Sequence, residues 1–148
     1  DDQGQDLLLD VEASCRRRKM TPRHEAVGDG TEDLLAANEA FYQAFNQKDA
    51  GLMDDLWAND ASVSCIHPGW NLLEGREAVL GSWHNILGNP SQPRIVTGGA
   101  TASIHGDLGI VICRELVAGS PLVATNVFVR ADGAWKLLHH HSGAVFNA

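Results

Sequence analysis

Beyond Pro93 the chain is built almost wholly of strand-forming runs. IVTGGATASIHG, LGIVICRELVAG, LVATNVFVRAD and AWKLLHHHS are rich in β-branched residues and are punctuated by Gly-Asp, Gly-Ser and Asp-Gly, pairs that favour tight reversals. Four such runs in succession predict an antiparallel meander, and its strands are apolar on both faces. Each face therefore needs a cover.

The residues ahead of the meander supply one cover. In TEDLLAANEAFYQAFNQKD, Leu34, Leu35, Asn38, Phe41, Tyr42 and Phe45 recur at helical spacing, with Thr31 placed to cap and two acids in the first turn. DAGLMDDLWAND predicts a shorter helix with Leu52, Met53, Leu56 and Trp57 on one face and Asp49 as its cap. ASVSCIH alternates as a strand, NLLEG follows as a short one, and REAVLGSWHNILG predicts a third helix bearing Val79, Trp83, Ile86 and Leu87. This order predicts an α+β fold, a curved antiparallel sheet packed against three N-terminal helices. With the helices on one face, a second copy is the expected cover for the other, making a homodimer.

Composition narrows the function. Eleven Lys and Arg against 19 Asp and Glu give a formal charge of −8, which repels phosphate backbones and anionic lipid, so neither nucleic acid nor membrane is an expected partner. No apolar run reaches the roughly 20 residues of a membrane span, and the acidic start is unlike a secretory leader. Cys15, Cys65 and Cys113 are too few and too scattered for a disulfide framework or a zinc cluster, which fits reduced thiols and a cytoplasmic location. Residues 1–30 combine an acidic start, the basic run Arg16-Arg17-Arg18-Lys19 and the breaker-rich TPRHEAVGDG. They read as a poorly ordered extension ahead of one domain, residues 31–148.

Turn positions imply which side chains share a face. If Asp132-Gly133 and Gly119-Ser120 are two-residue turns, Phe128 faces Leu137, Asn126 faces His139, and Ala124 faces His141. Cys113 then lies beside Asn126, and Glu115 beside Ala124. One face carries Cys113, Glu115, Asn126, His139 and His141 among apolar residues; the other carries Arg114, Thr125 and His140. The first set is assigned to a cavity, since an apolar wall with a few convergent polar groups is the usual make-up of a small-molecule pocket. A slip of one residue in either turn would exchange the two sets. His139 and His141 could join His67 around a metal, but no carboxylate stands at ligand spacing, and neither metal nor cofactor is expected.

FNQKDAGLMDDLWANDASVS, EGREAVLGSW and DGAWKLLHHHSG, in this order, resemble the nuclear transport factor 2-like superfamily, and within it the SnoaL-like and ketosteroid isomerase-like proteins. The resemblance implies a cystatin-like cone of sheet with a pocket at its mouth. It places His67-Pro68 where the isomerases carry Asp-Pro, whose Asp moves a proton beside a carbonyl, and so implies an imidazole at the pocket mouth. The isomerases' oxyanion donors fall on Phe41, one position before Tyr42, and near Thr125 or Asn126. Neither donor is reproduced in kind. The closing segment is also similar to the association domain of calcium/calmodulin-dependent kinase II, a module without catalytic activity. Its pocket arginine lies on a strand resembling ICREL, a likeness that would bring Arg114 inside.

Two functions follow. One is a protein that binds a small apolar or partly polar molecule and acts as a cofactor-independent isomerase, cyclase or dehydratase. The other is a non-catalytic ligand-binding or oligomerisation module of the same fold. In the first, His67 and Glu115, the one acid inside a strongly apolar strand, form the candidate catalytic pair. Trp70, in the loop beside His67, is the foremost aromatic contact. Tyr42, Cys65 and Asn126, with His139 and His141, extend the candidate ligand set, and Arg114 joins it under the rival assignment. Trp57 and Trp83 sit on apolar helix faces, where core packing competes with a ligand role.

Overall fold

The computed structural model describes residues 29–147, so the extension expected over residues 1–30 lies outside the described residues except for Asp29 and Gly30. Three helices, α1 (Thr31–Gln47), α2 (Ala50–Leu56) and α3 (Arg76–Leu87), lie against a six-stranded sheet. Two short strands, β1 (Ser64–Ile66) and β2 (Leu73–Glu74), precede α3. The meander follows as β3 (Ile95–His105), β4 (Leu108–Val117), β5 (Ser120–Ala131) and β6 (Ala134–Ala144). The sheet order is β2-β1-β6-β5-β4-β3. The expected α+β architecture is present, with one departure from an all-antiparallel sheet: β1 pairs with β6 in parallel. That join is open to it because about half of the chain separates the two strands, whereas a short turn permits only antiparallel pairing.

Local chemistry fixes how the helices meet the sheet. Leu34, Asn38, Phe41, Tyr42 and Phe45 of α1 are buried, the face that their spacing predicts. Thr31 is not the cap of α1: Gly30 takes that position at φ 83°, and the Asp29 carboxylate accepts the Thr31 N–H at 3.1 Å instead. Asp49 caps α2 as expected, accepting the Leu52 N–H at 3.0 Å. Asn46, near the end of α1, pins β3, donating to the Ile95 carbonyl and accepting its N–H, both at 2.8 Å. Arg76 opens α3 and donates to the carbonyls of Asp54, Trp57 and Ala58 at 2.9 to 3.0 Å, satisfying acceptors that the end of α2 leaves open. Trp57 is not on the α2 face; it follows the helix in extended conformation, buried, and bridges Leu137 of β6.

Register decides which polar groups face the helices. The β4–β5 reversal uses Ala118-Gly119, at φ 48° and 81°, instead of Gly119-Ser120, so Cys113 pairs with Ala124 and Glu115 with Leu122. A displacement of two residues preserves facing, because side chains alternate with period two. The β5–β6 reversal is at Asp132-Gly133 as expected, and Phe128 pairs with Leu137. Past that point the register slips: Val127 pairs with His139 and Asn126 with His140. Leu138 is thus the extra residue of a β-bulge, and every side chain of β6 beyond it changes face. A second bulge between Gly98 and Thr101, with Gly99 at φ 62°, interrupts β3.

On the face away from the helices, Val96, Ile112, Leu116 and Val123 are 41 to 64% exposed. Among the described residues no helix is long and apolar enough to cross a membrane.

The tightest helix–sheet approach is at Gly109, where an added Cβ would stand 2.7 Å from both Leu34 Cδ atoms. Gly109→Ala should therefore destabilise the fold by about 1–3 kcal/mol. Urea unfolding reads this directly, and a loss below about 0.5 kcal/mol would mean that α1 is not seated on β4 as closely as described.

Candidate functional site

The helix-facing side of the sheet forms a half-open cavity of about 370 Å³. His67, Glu115, His140 and Ser142, with Gln92 and Ser120, supply its polar groups; Phe45, Trp70, Trp83, Ile86, Ile95, Val117 and Leu122 supply most of its aromatic and apolar wall. Its contributors come from α1, the loop after β1, α3 and the ends of the meander strands.

His67 follows β1 but does not stand at an open lip. It is 3% exposed and lies edge-on to Trp70 and Trp83, at centroid distances of 4.7 and 4.5 Å. Its Nε2 is 2.8 Å from Ser82 Oγ, and the Ser82 hydroxyl donates to the Val79 carbonyl at 2.7 Å. That hydroxyl has spent its one proton, so His67 Nε2 carries the hydrogen and Nδ1 keeps a lone pair. Burial pulls the imidazole pKa down to about 4.

His140 is fixed by a chain of amides. Asn126 Nδ2 donates to Asn38 Oδ1 at 2.8 Å and to the Tyr42 hydroxyl at 3.1 Å, so its Oδ1 is the acceptor for His140 Nδ1 at 2.5 Å. The His140 hydrogen is therefore on Nδ1, and Nε2 is an acceptor on a residue of the cavity wall. Burial, and then the neighbouring imidazoles of His67, His139 and His141, bring its pKa to about 3. Tyr42 continues the chain to Cys113 Sγ at 3.3 Å; burial and the charge of Glu115 hold its phenol far above the usual range. Burial pushes the Cys65 thiol up to about 12 and raises that of Cys113, so both are inert neutral thiols.

Glu115 is 3% exposed. The Ser142 hydroxyl donates to its Oε1, while its Oε2 has no hydrogen-bond partner among the described residues. The indole Nε1–H of Trp83 is likewise buried without a partner.

The structure thus brings His67, Trp70, Trp83 and Glu115 onto one cavity wall. Tyr42, Trp57, Cys65 and Asn126 lie buried outside the lining. Two expectations are corrected. His139 and His141 face away from the cavity because of the bulge at Leu138; His139 Nδ1 bonds Ser64 Oγ at 2.7 Å and His141 is exposed. Arg114 alternates with the buried Cys113 and Glu115 and so is exposed on the outer face. His67 therefore does not converge with His139 and His141, and no cluster of three or more His, Cys, Asp or Glu suited to a metal occurs among the described residues. The residues that sequence reasoning missed are His140, Ser142 and Ser82. Three consecutive histidines in a strand must put at least one on each face, which is the available signal for His140; none pointed to Ser82.

A sheet curved over three helices, with a pocket on the helix side, is the architecture of the nuclear transport factor 2-like, cystatin-like class. Within it, this chain belongs to the SnoaL-like domain family, whose model matches residues 34–146. A solved structure from Streptomyces avermitilis, described as a candidate dehydratase of the NTF2-like family, is 32% identical, covers 80% of this chain and 97% of its own, and superposes with a TM-score of 0.74. Another, described as a candidate calcium/calmodulin-dependent protein kinase type II association domain from Thiobacillus denitrificans, is 31% identical over 75% of this chain and 94% of its own, with a TM-score of 0.69. The F-box protein SKIP8 of Arabidopsis thaliana is 27% identical over 124 residues, 78% of this chain; the chain spans 51% of that relative's length.

Burial lowers the imidazoles of His67, His139 and His140, and the two on the cavity wall, His67 and His140, make a pH prediction. Below the unfolded pKa of 6.5 the unfolded chain binds protons that folded His67 and His140 refuse, so stability is complete above that value and falls as pH drops toward 4 and 3. The slope is about 1.4 kcal/mol per pH unit for each histidine. Urea midpoints should decline between about pH 6.5 and 5, less steeply in His140→Gln. A flat wild-type profile over that window would show that the rings are solvated.

Proposed function

We propose that this chain is a small-molecule-binding SnoaL-like protein whose ligand is largely apolar and carries at least one hydrogen-bonding group. The observation that carries this reading is the 370 Å³ cavity whose largely apolar wall includes Glu115 and Trp83, each with a buried polar atom, Oε2 and the indole N–H, that has no partner among the described residues. Leaving such groups unpaired costs roughly 1–3 kcal/mol each, a cost that a ligand could relieve. Trp70, half-exposed beside His67, is placed to close over it.

The second reading adds cofactor-free proton transfer, an isomerisation, cyclisation or dehydration, with His67 moving the proton and Glu115 acting as its partner across the cavity. It is favoured by the 32% identity to a structure described as a candidate dehydratase. Against it, a pKa near 4 makes His67 a weak base at neutral pH, so catalysis would need a ligand whose developing negative charge sits beside the imidazolium. Binding needs no such condition and is the better supported of the two. A non-catalytic role is also what the 31% identical structure described as a kinase association domain suggests.

We also infer a homodimer formed through the outer face of the sheet. Val96, Ile112, Leu116 and Val123 form an exposed apolar strip there, and self-complementary pairing about a two-fold axis is the commonest way to cover one.

A small-molecule library screened by thermal shift tests the first proposal. Ligands should raise Tm in the wild type and lose that effect in Val117→Trp, which places an indole into the cavity from its β4 wall; equal shifts in both would place binding elsewhere. For the catalytic version, His67→Ala should lower turnover of a hydroxy-carbonyl compound by about 10²–10⁴-fold, and unchanged turnover would remove His67 from the chemistry. Sedimentation should give a dimer that Ile112→Lys converts to monomer; a monomeric wild type would refute the outer-face pairing.

A further inference from the structure

The polar groups that face the cavity are unbalanced in kind. Among its buried groups, the Glu115 carboxylate and His140 Nε2 accept, and the Trp83 indole N–H is a donor without a partner among the described residues; Gln92 and Ser120 join the wall as a half-buried and an exposed polar side chain. No lysine or arginine contributes to the cavity wall. Arg114, the cation nearest in sequence, is on the opposite face of β4, and the bulge carries His139 and His141 away from Glu115 as well. The carboxyl of Glu115 is therefore buried with the Ser142 hydroxyl and the Tyr42 phenol as its polar neighbours, and no positive side chain on the wall offsets a charge.

A buried carboxylate without a counter-charge is strongly disfavoured, whereas one that meets a cation with N–H donors is not. From this we propose that the ligand of this cavity is an organic amine in its ammonium form, its N–H groups donating to Glu115 Oε2 and its apolar body lying against Phe45, Trp83 and Leu122. The proposal rests on the cavity being a ligand site. An anion would be repelled by Glu115, and an alcohol brings only one donor and no charge. Aromatic rings on the wall are compatible with a cation, since their faces carry partial negative charge. The formal charge of −8 biases encounter in the same direction.

Matched probes separate the alternatives. Titration calorimetry on the full chain with 2-phenylethylamine and 2-phenylethanol, and with the corresponding cyclohexyl and benzyl pairs, should show each amine binding about tenfold or more tightly than its alcohol. Glu115→Gln, which keeps an oxygen for Ser142, should abolish that preference and leave alcohol affinity within about twofold. The Trp83 indole N–H resonance should shift with amine, locating it in the cavity. If each amine and alcohol bind alike while Val117→Trp abolishes both, the cavity is the ligand site and the ammonium proposal is overturned. If no member of the three pairs binds, or Val117→Trp leaves binding unchanged, the cavity reading falls and takes this one with it. Should Glu115→Gln fail to fold, the wild-type preference and the indole shift decide the matter unaided.

Discussion

The side-chain amide of Asn126 is the joint on which the interior depends. It has no exposed surface and bonds three partners: Asn38 and Tyr42 from α1, and His140 from β6. An amide left unpaired in an apolar interior is costly, so the position of α1 over the sheet and the register of β6 against β5 must agree for its bonds to form at once. The same bonds decide chemistry. Because Asn126 Nδ2 is committed to α1, its oxygen must accept from His140, which fixes the tautomer of a ring on the cavity wall. Structure and site share one constraint.

Burial then sets what the site can do. His67 and His140 are held neutral by desolvation, and Cys65, Cys113 and Tyr42 are held protonated by it. A pocket of weak bases and unreactive thiols is poorly equipped for unaided chemistry at neutral pH but well equipped to orient a guest through fixed hydrogen bonds. The proposal of binding ahead of turnover rests on this, whereas the family resemblance alone, which puts His67 in the place of a catalytic base, leaves the enzyme and the non-catalytic module nearly level.

How far the sequence could be read follows from which errors parity forgives. Helix periodicity placed Leu34, Asn38, Phe41, Tyr42 and Phe45 on the buried face correctly, since five positions at that spacing admit no other face. The β4–β5 turn was misplaced, yet Cys113, Glu115 and Asn126 still came out inside, because the displacement was even. On β6 the error was odd. Nothing in AWKLLHHHS marks Leu138 as the extra residue, since a bulge depends on cross-strand geometry and not on local composition, so His139 and His141 were placed inside and His140 outside. Glycine at position 30 likewise hid the true start of α1, where a carboxylate two residues upstream replaced the hydroxyl expected to cap. Ser82 escaped because its role arises only when α3 lies across the end of β1.

That one inserted residue has a consequence beyond register. Without it, His141 would stand opposite Ala124 on the cavity side, in the place that Ser142 now occupies, and an imidazole there could take a proton and neutralise Glu115. With the bulge the neighbour is a hydroxyl, which donates one hydrogen bond to Oε1 and cannot carry charge, so Oε2 remains open. Arg114 is kept from the same task by strand alternation, being one residue from Glu115 and so on the other face. Two elementary rules, the period of two along β4 and the odd insertion in β6, thus leave a single acid on the cavity wall with no basic side chain of the wall beside it. The proposal of a cationic ligand rests on that pair of rules.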